Sequence, residues 1–452
     1  MAETKKVGLP HVGWGYRLYK RYVQFFQEHL MYRRVYYVHR ENVPSYGTPV
    51  MLVSNHQNCA NDPLGLLIGL ENRCHPFVMA RADAFELHPL VTKFFFWLGM
   101  LPAFRLDYDG EASLSKNYAS MRLSGEKMLE GNPIIMYPEG THQQGRYLGE
   151  FKFGYTRLAF QAAEVGGFEK EVFILPTANH YDDYFTVRGE FMVTFGTPIS
   201  LQPWYEMYKT KPRTAQREVN RLVRKQIEDM MLDVKDVEHY DAVDFIRTTY
   251  GLDFAGGEKA LPEQLASDKQ LCARLEEVRE QDAAAVERVY EEALALKAGE
   301  EKLGLNDADF HRKPCLTKLV LSAVAQVLLL PLWVFTLYPS VIFYGVPRLF
   351  LKEDKMWTNT LVEIFTIVVL MPLAALLVLL VTGLVGGGWW WLVGAVWGLS
   401  FLPICLFCWY DWRWMRRTLE GFRFLCHKKE VQGLRQMRER LFNALDKIIK
   451  TK

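Results

Sequence analysis

Four short apolar runs, Pro49 to Val53, Ile134 to Met136, Val172 to Leu175 and Phe191 to Val193, are separated by stretches long enough to form helices. Runs of this length bounded by turn residues read as buried strands, and strands that alternate with helices specify an α/β domain. Two of the runs end in loops that carry chemistry. The first continues into Ser54-Asn55-His56-Gln57-Asn58-Cys59-Ala60-Asn61-Asp62-Pro63. A histidine can take a hydroxyl proton near neutral pH, and a carboxylate on its second ring nitrogen holds the tautomer and stabilises the imidazolium. A loop histidine beside a helix-capping aspartate would read the same way in isolation. The second run stops at Tyr137-Pro138-Glu139-Gly140-Thr141-His142.

Together these blocks resemble the glycerolipid acyltransferase family, whose members carry an Asn-His-x4-Asp block and a Phe-Pro-Glu-Gly-Thr block. Two further blocks follow the family's order. Gly99 to Arg105 resembles its acceptor-phosphate segment, and Ile174 to Ala178 resembles its Val-Pro-Val-type strand. Phe191 to Ile199 is similar to the strand that closes the domain. The spacing departs from the family in one place: five residues separate His56 from Asp62, and Asn61 stands at the usual carboxylate position. Asp62 is the expected partner, because an asparagine orients the ring without stabilising its charge, and the Asp-Pro-apolar continuation matches the family's helix start.

The resemblance implies an α/β fold and transfer of an acyl group from acyl-CoA or acyl carrier protein to glycerol 3-phosphate or its 1-acyl derivative, lysophosphatidate. His56 and Asp62 are the implied catalytic pair. Phe104, Arg105, Glu139, Gly140, Thr141 and Lys152 are the implied substrate-binding residues. Arg105 offers a planar donor fork suited to phosphate. Glu139 and Thr141 either bond the acceptor's free hydroxyl or brace the turn. His142 stands where the family usually has arginine, so Arg146 or Lys152 is expected to compensate. No metal and no bound cofactor are expected. A transacylase of the tafazzin type and a non-catalytic membrane scaffold are the competing readings; the layout resembles fungal-type glycerol-3-phosphate acyltransferases.

Around this domain, expected at 46–200, the chain changes character. Residues 1–45 interleave Trp14, Tyr16, Tyr19, Tyr22, Phe25 and Phe26 with Arg17, Lys20, Arg21, Arg33, Arg34 and Arg40. That pattern suits a helix in the lipid headgroup region or one packed on its own domain. Residues 201–312 read as charged helices, with Val219, Leu222, Val223, Ile227, Met230 and Val234 at helical spacing and Ser267 to Gln270 shaped as a capping box.

Residues 313–411 are membrane-like. A re-entrant or kinked hairpin is expected at 316–350, interrupted by Pro331, Pro339 and Pro347, and transmembrane helices at 361–385 and 389–409, each long enough for a bilayer core of about 30 Å. A basic tail fills 412–452. If the flanking arginines and lysines all face the cytoplasm, the catalytic domain and this tail are expected on the cytoplasmic face of an integral membrane protein. Lys and Arg total 54 against 52 Asp and Glu, a formal charge of +2, which argues against nucleic acid as the main partner and leaves membrane lipid, acyl donor and acceptor as the expected ones. The seven cysteines lack disulfide-framework spacing and are expected to be reduced thiols.

Overall fold

Every side chain of the strand Val50–Ser54 is buried, as expected for a strand covered on both faces within a largely parallel sheet. The structure is a computed structural model, and it describes residues 12–70, 74–86, 88–103, 112–143, 145–184, 188–305, 310, 314–340, 380, 383–384 and 413–450. The chain divides into two compact units, Met1–Asp233 and Val234–Lys452.

In the first unit the strands are β1 (Tyr32–Val38), β2 (Val50–Ser54), β3 (Phe77–Arg81), β4 (Met100–Ala103), β5 (Ile134–Met136), β6 (Phe173–Tyr181), β7 (Gly189–Phe195) and β8 (Ile199–Ser200). They form one sheet in the order β1-β7-β6-β2-β5-β3-β4, with β8 also on β6. β2 runs parallel to both neighbours: Val53 pairs with Met136 of β5 and Ser54 with Thr177 of β6. The three loops that leave these carboxyl ends therefore emerge side by side, the usual place for a ligand site in an α/β sheet. β6 and β7 are antiparallel, so the sheet is mixed.

The helices are α1 (Trp14–Phe26), α2 (Asn61–Gly69), α3 (Pro89–Leu98), α4 (Ala112–Leu129), α5 (Gly154–Val165), α6 (Tyr205–Thr210) and α7 (Pro212–Met230). α2, the helix that begins at the His56 loop, packs on β7 through Gly65, where an added Cβ would stand 2.2 Å from the ring of Phe191. Only glycine permits that approach. α7 buries Ala215, Val219, Val223 and Ile227 at four-residue spacing, and these join the core formed with Met51, Ile134, Phe160 and Ile174. Val234 lies beyond the end of this helix.

The aromatic and basic stretch up to Arg40 is not one helix. α1 ends at Phe26, a π-helical turn follows over Gln27–Met31, and Tyr32–Val38 becomes the edge strand β1, paired in parallel with β7. The run Val35-Tyr36-Tyr37-Val38 has the branched and aromatic side chains that pack well on a pleated surface. Lys20, expected among the lipid-facing cations, is 1% exposed, and its ammonium donates to the Leu70 carbonyl (3.1 Å) at the carboxyl end of α2. Arg17 and Arg21 are exposed, as is Trp14. α1 thus packs on its domain through one face and presents aromatic and basic side chains on the other.

The second unit is helical where described: α8 (Tyr240–Thr249), α9 (Gly251–Phe254), α10 (Leu261–Gln281), α11 (Ala283–Leu303), α12 (Leu316–Ser340) and α13 (Lys428–Lys450). α11 packs against α8, α10 and α13, burying Val286, Val289, Ala293 and Leu296. Ser267 to Gln270 does not open a helix. It lies inside α10, which starts at Leu261-Pro262, because the Asp268 carboxylate is buried and accepts from Arg247 (2.9 Å) and Gln264 (2.7 Å) instead of capping an amide.

α12 runs unbroken through Pro331 and Pro339, so the interruptions expected there do not occur; residues 341–350, with Pro347, lie outside the described residues. Among the described residues no helix is long and apolar enough to cross a membrane. The spans expected at 361–385 and 389–409 fall outside the described residues, apart from isolated helical positions at 380 and 383–384.

Candidate active site

His56 leaves the carboxyl end of β2 and meets Asp62 in the first turn of α2, with its Nδ1 2.7 Å from Asp62 Oδ2. The same Oδ2 accepts from the backbone amides of Gln57 (2.8 Å) and Asn58 (2.9 Å). The other oxygen, Oδ1, accepts from the Tyr181 hydroxyl at 2.6 Å. An ionised carboxylate is acceptor-only, so this contact places a proton on Nδ1 and leaves Nε2 with a free lone pair. The Asp62 side chain is fully buried, whereas 19% of the His56 side chain remains accessible. The ring can therefore meet a substrate while its partner stays dry.

The extra residue between His56 and Asp62 is absorbed in the loop, where Cys59 adopts a left-handed conformation with φ 43°. Non-glycine residues rarely do so, and the turn is held from both sides. Asn61 points elsewhere: its Oδ1 lies 3.5 Å from Gln27 Nε2. The Cys59 thiol faces His142 Nδ1 at 3.6 Å, and the His142 ring stands edge-on to His56 with centroids 6.1 Å apart.

The Pro-Glu-Gly-Thr turn after β5 supports the loop from below. Glu139 is 4% exposed; its Oε1 accepts from the His56 amide and its Oε2 from the Gly149 amide, each at 2.8 Å. Burial raises its carboxyl above the usual range, although both amides pull the other way. Gly140 has φ 72°, a conformation costly for any residue with a Cβ, and Lys152 Nζ would lie 3.5 Å from one placed there. Thr141 is exposed beside it. Tyr137 stacks on His56 at 4.3 Å between centroids.

The structure thus brings His56, Asp62, Glu139, Gly140 and Lys152 to one loop cluster. Phe104 and Arg105 lie outside the described residues. Arg146, expected as an alternative phosphate contact, is 4% exposed and donates to the carbonyls of Tyr181 (2.7 Å) and Asp182 (2.8 Å), with its guanidinium 4.7 Å from the Tyr184 ring centroid. Its fork is committed to the backbone at the end of β6, not to a ligand. Among the described residues no group of three His, Cys, Asp or Glu could hold a metal ion.

Tyr181 and Tyr184 escaped the sequence reading. The Tyr184 hydroxyl donates to Gln57 Oε1 at 2.6 Å, and the Asn55 side chain exchanges two hydrogen bonds with the Asn179 backbone. The one available signal was that the β6 run continues past Ala178 into Asn179-His180-Tyr181, which carries the strand up to the His56 loop.

A buried carboxylate behind a part-exposed histidine, at the carboxyl ends of parallel strands, is an arrangement chemically able to act as a general base. Residues 34–179 match the model of the Acyltransferase family. No curated protein matches the sequence. Among solved structures, the chain is similar to the 1-acyl-sn-glycerophosphate (LPA) acyltransferase PlsC from Thermotoga maritima, at 16% identity and a TM-score of 0.34, over 48% of this chain and 78% of that one.

Proposed function

We propose that the protein transfers a fatty acyl group from a thioester donor, acyl-CoA or acyl carrier protein, to the hydroxyl of glycerol 3-phosphate or 1-acyl-glycerol 3-phosphate. The observation that carries this reading is the 2.7 Å contact between His56 Nδ1 and the buried Asp62 carboxylate. Nε2 of His56 takes the acceptor's hydroxyl proton as the oxygen attacks the thioester carbon. The imidazolium that forms is stabilised by Asp62, and when the carbon–sulfur bond breaks the same proton passes to the departing thiolate. No acyl-enzyme is needed. Lys152 at the Gly140 turn, together with Arg105, supplies cationic donors for the acceptor's phosphate.

The charged helices and apolar segments that follow the domain support a layout like that of fungal-type glycerol-3-phosphate acyltransferases. The basic flanks of 316–350, 361–385 and 389–409 support an integral membrane protein whose active site faces the cytoplasm, where soluble acyl donors reside.

Thioester release by the purified full chain, with glycerol 3-phosphate and lysophosphatidate compared as acceptors, tests the proposal. Acceptor-dependent release that disappears in His56→Ala is the expected result. Turnover that persists in a folded His56→Ala protein overturns the mechanism, and transfer between phospholipids without a thioester donor would show a transacylase instead.

A further inference from the structure

We propose that Tyr181 is a positioning residue that sets the basicity of His56 through Asp62, a role that rests on the acyl-transfer reading above. Asp62 has four donors, and they are unevenly shared. Oδ2 takes His56 Nδ1 and two backbone amides, whereas among the described residues Oδ1 has the Tyr181 hydroxyl alone. A hydroxyl 2.6 Å from a buried carboxylate is a charge-assisted hydrogen bond. It draws negative charge toward Oδ1, away from the oxygen that faces the imidazole.

The tyrosine is itself held in place. It is fully buried at the end of β6, stacks on Phe191 with centroids 4.6 Å apart, and its backbone carbonyl is fixed by Arg146. Burial and the Asp62 charge push its hydroxyl well above the usual range, so it remains a donor throughout the working pH range. The titratable and charged groups facing the dyad from the packed elements are Tyr137, Glu139 and His142 near His56, and Tyr32, Tyr137, Tyr184 and Arg146 near Tyr181. None of these is seen to bond Asp62 Oδ1.

Deleting the hydroxyl concentrates charge on Oδ2, favours the imidazolium and so moves the acidic limb of the kcat/KM profile to higher pH. The experiment uses the full chain with Tyr181→Phe, with 3-fluorotyrosine incorporated at position 181, and with Tyr155→Phe as control. Tyr155, a tyrosine that is itself buried, loses a part-buried hydrogen bond to Asn220 at 2.7 Å that does not involve the dyad.

In Tyr181→Phe the expected result is an acidic limb displaced upward with the acceptor's KM unchanged, so that kcat/KM falls on the acidic side of the profile. The fluorinated tyrosine, a more acidic donor that keeps the contact, displaces the limb downward. Tyr155→Phe lowers the melting temperature without moving the limb. The NMR titration of the His56 ring, read without turnover, should move in the same directions. A limb and a ring titration unmoved by both changes at position 181 overturn the proposal while leaving His56-dependent turnover standing. Loss of the acyl-transfer reading would show separately, as turnover in His56→Ala. If Tyr181→Phe fails to fold, the fluorinated protein alone decides.

Discussion

Glu139 accepts a hydrogen bond from the backbone amide of His56 at 2.8 Å, across 83 residues of sequence. Its second oxygen takes the Gly149 amide, so one carboxylate ties the turn after β5 to the loop after β2. In this geometry Glu139 holds the shape of the catalytic loop.

Glu139→Gln keeps the size but turns an acceptor into a donor that faces a backbone amide. Leaving a buried amide unsatisfied costs about 1–3 kcal/mol. The expected outcome is a lower melting temperature and a reduced kcat, with the acceptor's KM little changed. Steady-state kinetics over a range of acceptor concentrations checks it; a rise confined to that KM would place Glu139 on the substrate instead.

Asp62 and Asn61 are separated by one helical position and by very different partners. Asp62→Asn removes the charge behind the imidazole, and loss of such a carboxylate lowers kcat by roughly 10⁴ in the best-studied triads. Asn61→Ala loses a long contact with Gln27 and should retain most of the activity. Parallel assays of the two purified variants give the ranking, and the reverse order would show that the functional register is the family's usual one.

Arg146 bridges two carbonyls at the end of β6 with two separate nitrogens of its planar fork, a geometry that the compact ammonium of a lysine does not reproduce. Arg146→Lys should therefore destabilise the domain by about 1–3 kcal/mol and leave the acceptor's KM unchanged. Denaturant unfolding and kinetics on the same preparation test both halves. Unchanged stability with a raised acceptor KM would restore the phosphate-binding expectation.

His75 introduces a pH dependence to the fold. Its ring stacks on Phe77 (centroids 5.0 Å apart) and packs tilted against Tyr16 (4.0 Å), and burial lowers its pKa from 6.5 to about 4. A histidine held neutral in the folded state binds fewer protons than in the unfolded chain. Its stability contribution is complete above the unfolded value and is lost as pH falls from 6.5 towards about 4. Melting temperatures of wild type and His75→Phe measured between pH 7 and pH 4 should converge, with the wild type falling faster. Parallel curves would show that another group controls acid sensitivity.

Much of this domain was legible in short-range pattern. Apolar runs such as Met51 to Val53 and Ile134 to Met136 marked strands because neither face could remain in water, and Val219, Val223 and Ile227 marked one face of a helix through their spacing. His56 and the Pro-Glu-Gly-Thr turn were visible as chemistry at strand ends. The edge strand β1 was missed because its aromatic and basic residues fit an interfacial helix equally well, and only pairing with β7 distinguishes the two.

Tertiary structure decided which side chain does what. Asn61 and Asp62 differ in direction by about 100° around a helix, so the choice between them depends on how α2 is set against β7 by Gly65 and Phe191. Tyr181 reaches Asp62 across 119 residues, and Arg146 reaches β6 across 35. Hydrogen bonds between distant loops leave no period in a sequence: their distances exist only once the strands have paired in register.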